Sequence, residues 1–141
     1  MTEVLWGAAT ELSNIAGAAM NNLSPGGVAT LGDIDNTTSR KLYCVFRINL
    51  GSINPTGAPS LTVRIFQKIG GVAPDRSATI FSGESRQIPM LTGAGARAYN
   101  SPVFTLGGPF LFGVDIVNNT TINLAASGNA VVPLVWAEDV P

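Results

Sequence analysis

The chain has 141 residues, a net charge of −1 and only 12% charged residues, against about 25% in an ordinary soluble domain. It contains no histidine and one cysteine, which excludes the usual zinc and iron sites and the nucleophile systems that need a histidine base. The length suits one domain, and the lack of a basic stripe or an acidic tail argues against general binding to nucleic acid or membrane surfaces. Charge depletion is also typical of the centres of permanent protein interfaces, so we expect a subunit of an assembly.

The first 23 residues leave two structures open, a short helix and an extended arm. Glycines and weak helix formers interrupt the apolar residues that have helical spacing, which are Leu12, Ile15, Ala16 and Ala19. Leu5 and Trp6 are large apolar side chains near a terminus that would ordinarily fray. We therefore expect an N-terminal arm, residues 1–23, that packs against a neighbour, and a β-sandwich domain at 24–141. Deleting residues 2–12 is expected to weaken assembly and to leave the fold intact. No apolar run of about 18 residues and no leader sequence is present, so neither a membrane span nor a signal peptide is expected.

The clearest structural signal is the alternation over residues 40–50. One parity is apolar and predicted to face the core: Leu42, Cys44, Phe46, Ile48 and Leu50. The other parity is predicted to face outward: Lys41, Tyr43, Val45, Arg47 and Asn49. A period of two indicates a strand with one buried face, and it makes Cys44 a small buried hydrophobic residue.

A second long strand is predicted at 61–69, after a loop at 51–60. Its inward set is Leu61, Val63, Ile65 and Ile69, and its outward set is Thr62, Arg64, Phe66 and Lys68. If the two strands paired as a hairpin, Arg47 would lie opposite Arg64, which is unfavourable unless an acidic partner covers them. A jelly roll instead allows the strands to lie in different sheets, with both sets still outward.

Two hypotheses for the outward sets remain, an ordinary solvated face and an interface with a partner. The residues proposed for the interface are Leu5, Trp6, Tyr43, Val45, Arg47, Arg64, Phe66 and Lys68. On this hypothesis Arg64→Glu is expected to weaken partner binding and to leave the melting temperature nearly unchanged.

The remaining strands are short and are separated by turn residues. Their predicted ranges are 28–31, 78–81, 87–91, 103–106, 110–117, 121–126 and 130–137. Pro89 places the third of these at a sheet edge, Asn118-Asn119 predicts a hairpin between 110–117 and 121–126, and residues 92–100 are predicted to form a surface loop. About eight strands at this spacing are typical of an all-β sandwich or barrel with a single domain.

Catalytic chemistry has few candidate residues in this chain. Asp33 and Asp35 have a spacing that could contribute to a calcium site, but the other oxygen ligands are missing and a polar turn is favoured. Asp33, Asp35 and Asp115 could supply a glycosidase pair only if the fold brought two of them together, and a raised carboxyl pKa would reveal such a site. We predict no catalytic, metal-binding or cofactor-binding residues, no cofactor and no enzymatic activity.

Four segments, in their order and spacing, resemble the decoration or cement proteins of jelly-roll type that tailed bacteriophages attach to their heads. They are Asp35-Asn36-Thr37-Thr38, Asn49-Leu50-Gly51-Ser52, Asn118-Asn119 and Leu124-Ala125-Ala126-Ser127-Gly128-Asn129. The resemblance runs over about residues 34–135, and the last segment is its most specific part. Residues 70–75 depart from the longer Asp-Gly-Thr-Asn-type loop of such proteins.

The resemblance implies a jelly-roll β-sandwich on the outside of an icosahedral capsid, in the virion, made in the host cytoplasm. Its implied partners are the major capsid protein, whose neighbouring subunits it would clamp, and itself, as a homodimer or homotrimer. Neither nucleic acid, a membrane nor a cofactor is implied. A carbohydrate- or receptor-binding β-sandwich of a phage tail or fibre is the alternative, and binding to a glycan array would distinguish it.

Overall fold

A computed structural model describes residues 5–15, 17–74 and 83–139 of the chain. Its regular secondary structure is almost entirely β, with twelve strands and one short 3₁₀ helix, η1, at Gly17–Met20. The strands are β1 (Leu5–Trp6), β2 (Thr10–Glu11), β3 (Val28–Thr30), β4 (Ile34–Asp35), β5 (Tyr43–Ile53), β6 (Ser60–Lys68), β7 (Glu84–Pro89), β8 (Gly95–Asn100), β9 (Phe104–Thr105), β10 (Leu111–Asn118), β11 (Ala130–Trp136) and β12 (Glu138–Asp139). None of its helices is long and apolar enough to cross a bilayer.

Eight of the strands form two antiparallel sheets with jelly-roll connectivity. One sheet has the order β3-β10-β6-β7 and the other the order β2-β11-β5-β8, while β4 adds to β10, β9 adds to β5, and β1 pairs with β12. Without the four short strands β1, β4, β9 and β12, the strand pairs are nested along the chain. The outermost pair is β2 with β11, followed inward by β3 with β10, β5 with β8, and β6 with β7. A long hairpin rolled up on itself produces this nesting, and the result is the two-sheet jelly roll. The predicted fold class is confirmed.

The core lies between the two sheets and is filled by the predicted inward parities. Phe46 and Ile48 of β5 are 0% exposed, as are Leu61 and Val63 of β6. The Phe46 ring packs edge-on against Phe104, with ring centroids 5.5 Å apart. Because β5 and β6 belong to different sheets, the two strands face each other through their apolar parities. Two residues that the patterns assigned to the inward sets are exposed. Ile69 is 69% exposed since β6 ends at Lys68, and Leu42 is 42% exposed since it precedes the first residue of β5, Tyr43.

Two local predictions are wrong, and both concern the small or polar stretches of the sequence. Residues 92–100 were expected to form a loop, but 95–100 are strand β8, which pairs along β5. Residues 121–126 were expected to form a strand, but they contain none. The reason lies in Asn118, whose side-chain oxygen accepts the backbone N–H of Thr120 at 2.9 Å, so the chain makes an Asx turn in place of a hairpin. The predicted strand at 78–81 falls outside the described residues.

Among the described strands, β7, which contains Pro89, is the last of its sheet, as the predicted edge position requires. Pro89 is the final residue of β7, where the missing N–H interrupts no further ladder. The following segment, residues 90–94, leads directly to β8 in the other sheet.

Residues 5–23 lie along the sandwich and combine features of both structures that the sequence left open. The segment contains two-residue strands, of which β2 pairs with β11, and the helical turn η1. Ile15 and Met20 are buried in the core, at 8% and 0% exposure, whereas Trp6 is 64% exposed. The part nearest to β1 is therefore superficial, and the part from residue 12 onward contributes to the domain's own core.

The stretch 124–129, the most specific part of the resemblance, is a loop held against β5. The side-chain oxygen of Asn129 accepts the backbone N–H of Gly51 at 3.0 Å, and its amide donates to Asn21 at 2.8 Å and to the Ala125 carbonyl at 2.9 Å. Leu124 is 2% exposed. The loop thus fastens three separate parts of the chain to one another.

The single cysteine gives a prediction about reactivity and pH. Burial raises the pKa of the Cys44 thiol from 9.0 to about 12, so we expect no reaction with dithionitrobenzoate at pH 8 until the protein unfolds. The contribution of the neutral thiol to the free energy of unfolding is fully present below the pKa of the unfolded state, and it is lost as pH rises toward 12. Between the two pKa values the native state keeps the thiol proton and the unfolded state releases it, so rising pH favours unfolding. The variant Cys44→Ala is expected to flatten this part of the pH dependence. Stoichiometric labelling of the native protein within minutes would contradict the buried position.

Candidate interaction surfaces

The structure divides the predicted interface residues between opposite sides of the molecule. Tyr43, Val45 and Arg47 lie on the outer face of the sheet that contains β5, whereas Arg64 and Lys68 lie on the outer face of the sheet that contains β6. The two sheets pack through their inner faces, so one flat partner cannot cover both sets. The arrangement is the one that a jelly roll allows, with the two strands in different sheets, and each outer face is therefore considered separately.

The outer face of the β6 sheet satisfies its own charges. Arg64 donates to Asp115 of β10 at 3.1 Å, with only 12% and 1% of the two side chains exposed. Lys68 pairs with Asp33 at 2.8 Å. The acidic partner predicted for Arg64 is thus Asp115 of the same chain.

Phe66 has the predicted outward parity but is 2% exposed and lies outside the main core cluster. Gly113, directly opposite on β10, has no side chain, and the Phe66 ring occupies the space beside it. A Cβ atom on Gly113 would come within 2.2 Å of this ring. Phe66 therefore stabilises its own sheet and is not available as an anchor for a partner.

The outer face of the β5 sheet has a different character, because most of its side chains are apolar. We call it the aromatic face and define it by Trp6, Tyr43, Val45, Val132, Leu134 and Trp136. Val132 is buried yet outside the core cluster, which agrees with its outward parity. The neighbouring β8 adds the small exposed residues Ala96 and Ala98. Its strands carry one close charge pair, Arg47 with Glu11 at 2.9 Å.

Three aromatic rings lie in contact at one end of the aromatic face. The Tyr43 ring stacks on Trp136 at 5.7 Å between centroids and meets Trp6 edge-on at 5.5 Å. The Tyr43 hydroxyl donates to Glu138 at 2.6 Å, and this hydrogen bond, with burial as a smaller cause, raises the pKa of Tyr43. The contacts fix Trp6 on the sheet although most of its surface remains exposed. The backbone of Leu5 pairs with that of Asp139 beside it.

Sequence reasoning missed Val132, Leu134 and Trp136, although the signal was present. Alternate residues of the predicted strand 130–137 are apolar on both parities, so both faces of β11 were readable as apolar. A strand with apolar side chains on both faces is buried on both faces in an ordinary protein. Here the pairing with β5 places the second apolar set next to Tyr43 and Val45 on the outside.

The carboxylates considered for metal binding or catalysis are separated. Asp33 pairs with Lys68, Asp115 with Arg64, and Asp35 accepts the hydroxyl and backbone N–H of Thr37 at 2.6 and 2.9 Å. These two hydrogen bonds lower the pKa of Asp35, the side-chain one most strongly. Within the described ranges no group of three potential metal ligands occurs. The polar-turn interpretation of Asp33 and Asp35 fits this geometry.

A cleft of about 530 Å³ opens beside the aromatic face. Its walls are the loop that leads into β5 and the turn that follows β9, and its lining residues are Asn36, Arg40, Lys41, Leu42, Thr105, Leu106, Gly107, Gly108 and Pro109. It adjoins the aromatic face where Thr105 pairs with Tyr43.

Comparison with known proteins assigns no family. No family model matches the chain, and no curated protein matches it. Among solved structures it is similar to the crystal structure of dimeric latent PorU from Porphyromonas gingivalis, with a TM-score of 0.39 and 13% sequence identity. The match covers 99% of this chain but only 14% of that chain. A likeness at this level carries no argument about function.

Proposed function

We propose that the chain is a virion structural protein that binds the outside of a capsid shell and stabilises contacts between major capsid subunits. The observation that supports a subunit of an assembly most directly is the aromatic face. This outer sheet surface is apolar, whereas the outer strands of a solvated sandwich normally carry polar residues on that side. Charge-depleted surfaces with exposed aromatic residues are typical of the centres of lasting interfaces. The sequence resemblance to phage decoration proteins of jelly-roll type supports a capsid as the assembly.

The mechanism of such a protein is thermodynamic linkage. A subunit that binds the assembled shell and not its separated parts stabilises the shell by RT ln(1 + [L]/Kd), about 2.7 kcal/mol at a free concentration of 100 Kd. The test is to measure the copy number of the chain in purified virions and the melting temperature of shells with and without it. A fixed ratio to the major capsid protein and a raised shell melting temperature are expected. Absence of the chain from virions would overturn the proposal.

Within this function, the aromatic face is assigned to a second copy of the chain. The sheet is four strands wide and its longest strand has 11 residues, which gives an outer face of up to about 700 Å² from standard strand spacings. Each partner of a standard interface contributes about 800 Å². Arg47 and Glu11 carry opposite charges on the same face, so a two-fold axis would let each arginine meet the carboxylate of the other subunit.

Self-association gives a prediction with a matched control. Val45 and Val117 are both half-buried valines on outer faces, the first on the aromatic face and the second on the β6 sheet. Val45→Lys is expected to shift the chain to monomers because it buries an unpaired charge in the interface, whereas Val117→Lys is expected to leave the oligomer unchanged. Light scattering coupled to gel filtration at one fixed concentration measures the mass. A monomeric parent protein at about 100 μM, a concentration at which even a micromolar dimer would form, would contradict the assignment.

The second candidate function is a glycan- or receptor-binding module of a phage tail or fibre, favoured by the exposed ring of Trp6 beside Tyr43. A flat aromatic ring that is accessible to solvent can bind the apolar face of a ligand. Binding to a glycan array that Trp6→Ala abolishes would support this candidate over the capsid one.

A further inference from the structure

The cleft beside the aromatic face contains two basic side chains, Arg40 and Lys41, for which the described residues supply no partner. Arg47, Arg64, Lys68 and Arg86 each pair with a carboxylate, and Arg97 donates to the Thr92 carbonyl. Arg40 and Lys41, in contrast, have no side-chain hydrogen bond or ion pair within the described residues. None of the described residues that line the cleft is acidic. Its electrostatic character is therefore cationic, in a protein whose net charge is −1.

The two walls of the cleft are linked by the buried side-chain amide of Asn36. Asn36 is 1% exposed. Its side-chain oxygen accepts the Lys41 backbone N–H at 2.7 Å, and its amide group donates to the carbonyls of Lys41 and Gly108 at 2.9 and 3.0 Å. One side chain thus links the two walls. Arg40 has a φ of 49°, a left-handed conformation that glycine adopts without strain and arginine does not, so a cation occupies this position at an energetic cost.

The rest of the lining fits a polypeptide better than a simple anion. Leu42 is 42% exposed next to the two cations, and Pro109 adds a second apolar surface. Within the described residues β9 pairs only with β5, so its other edge can accept an extended strand.

We propose that this cleft binds an extended peptide segment of a partner protein in which acidic and apolar side chains alternate. The carboxylates would accept charge-assisted hydrogen bonds from Arg40 and Lys41, and the apolar side chains would cover Leu42 and Pro109. Because alternate residues of an extended chain point to opposite sides, both contacts are compatible with one strand. The proposal deepens the proposed function and rests on it for one point, the identity of the partner as a capsid subunit.

The test uses the full-length free protein and a synthetic probe, so that it is independent of virions. The peptide Gly-Asp-Leu-Asp-Leu-Gly, acetylated at its N-terminus and amidated at its C-terminus, is titrated into ¹⁵N-labelled protein. The same blocked peptide with both acids replaced by asparagine serves as the neutral control. Saturable shifts are expected at the amides of Arg40, Lys41, Leu42, Gly107 and Gly108, with a Kd of about 1 mM or lower. The neutral peptide is expected to bind about tenfold more weakly or worse, since it lacks the charge-assisted contacts.

Variants locate the site. The double change Arg40→Asn and Lys41→Gln is expected to weaken binding by at least about tenfold, with asparagine chosen because it tolerates a positive φ. Arg97→Ala removes a basic residue outside the cleft and is expected to change nothing.

Three results would overturn the peptide proposal: no saturable shift, equal binding of the neutral peptide, or inorganic phosphate binding as tightly as the peptide. None of them bears on whether the chain is present in virions. Conversely, absence from virions with peptide binding intact would overturn the proposed function and leave the cleft assignment standing.

Discussion

Replacing Phe46 by alanine is expected to lower the free energy of unfolding by about 3–5 kcal/mol, the range for truncating a buried phenylalanine. The side chain is 0% exposed and its ring contacts Phe104 from the same sheet. Removing it leaves a cavity between two sheets that the ladder hydrogen bonds hold in place, so neighbouring side chains can fill it only partly. Denaturant unfolding followed by circular dichroism measures the loss.

The neighbouring residue provides the control for this measurement. Val45 lies on the same strand with the opposite parity and is half-buried. Val45→Ala is expected to cost less than about 1.5 kcal/mol, since only part of a valine side chain is removed from water there. A loss below about 1 kcal/mol for Phe46→Ala would show that the two faces of β5 are reversed, because exposed substitutions usually stay within about 0.5 kcal/mol.

The features that the sequence predicted well are those that one strand encodes by itself. The parity of β5 and β6 follows from the alternation of side chains along an extended chain, so the buried positions of Phe46 and Val63 were predictable without knowledge of any partner strand. The same holds for Pro89 at an edge, since proline cannot donate to a ladder. These local constraints also sufficed for the all-β class.

The features that the sequence could not supply depend on pairing between distant segments. Residues 92–96 are small and rich in glycine and alanine, which is typical of a loop, and only the pairing with the long strand β5 makes residues 95–100 a strand. Likewise, nothing in the sequence near Arg64 shows that Asp115, 51 positions away, lies next to it. Which charges are paired therefore depends on the register between strands, and the cationic cleft could be recognised only once the partners of the other described basic residues were known.

The cleft illustrates how this changes a functional hypothesis. The sequence alone predicts an acidic partner for Arg47 and Arg64, because a hairpin would place these arginines opposite each other. In the structure both are neutralised within the chain, by Glu11 and Asp115. An acidic partner is instead expected at Arg40 and Lys41. In the sequence these two residues stand out only as its one adjacent basic pair.

The same pairing reverses the expected result of Arg64→Glu. Because Asp115 is 1% exposed and bonded to Arg64, the substitution places a second carboxylate beside a buried one. Breaking a buried pair in this way typically costs about 3–5 kcal/mol, so the melting temperature of the free protein is expected to fall markedly. Differential scanning calorimetry at neutral pH measures the change.

Arg47→Glu is the matched control for this effect. Arg47 and Glu11 form an ion pair of similar length, 2.9 Å, but their side chains are 41% and 56% exposed, and exposed pairs contribute only about 0.2–1 kcal/mol. The stability of the free monomer is therefore expected to change little in Arg47→Glu. The double variant Arg64→Met with Asp115→Leu is expected to recover much of the loss, since apolar replacement of both partners of a buried pair is often nearly neutral. Equal and small effects of Arg64→Glu and Arg47→Glu would show that Asp115 is hydrated in solution and that the β6 sheet does not depend on this ion pair.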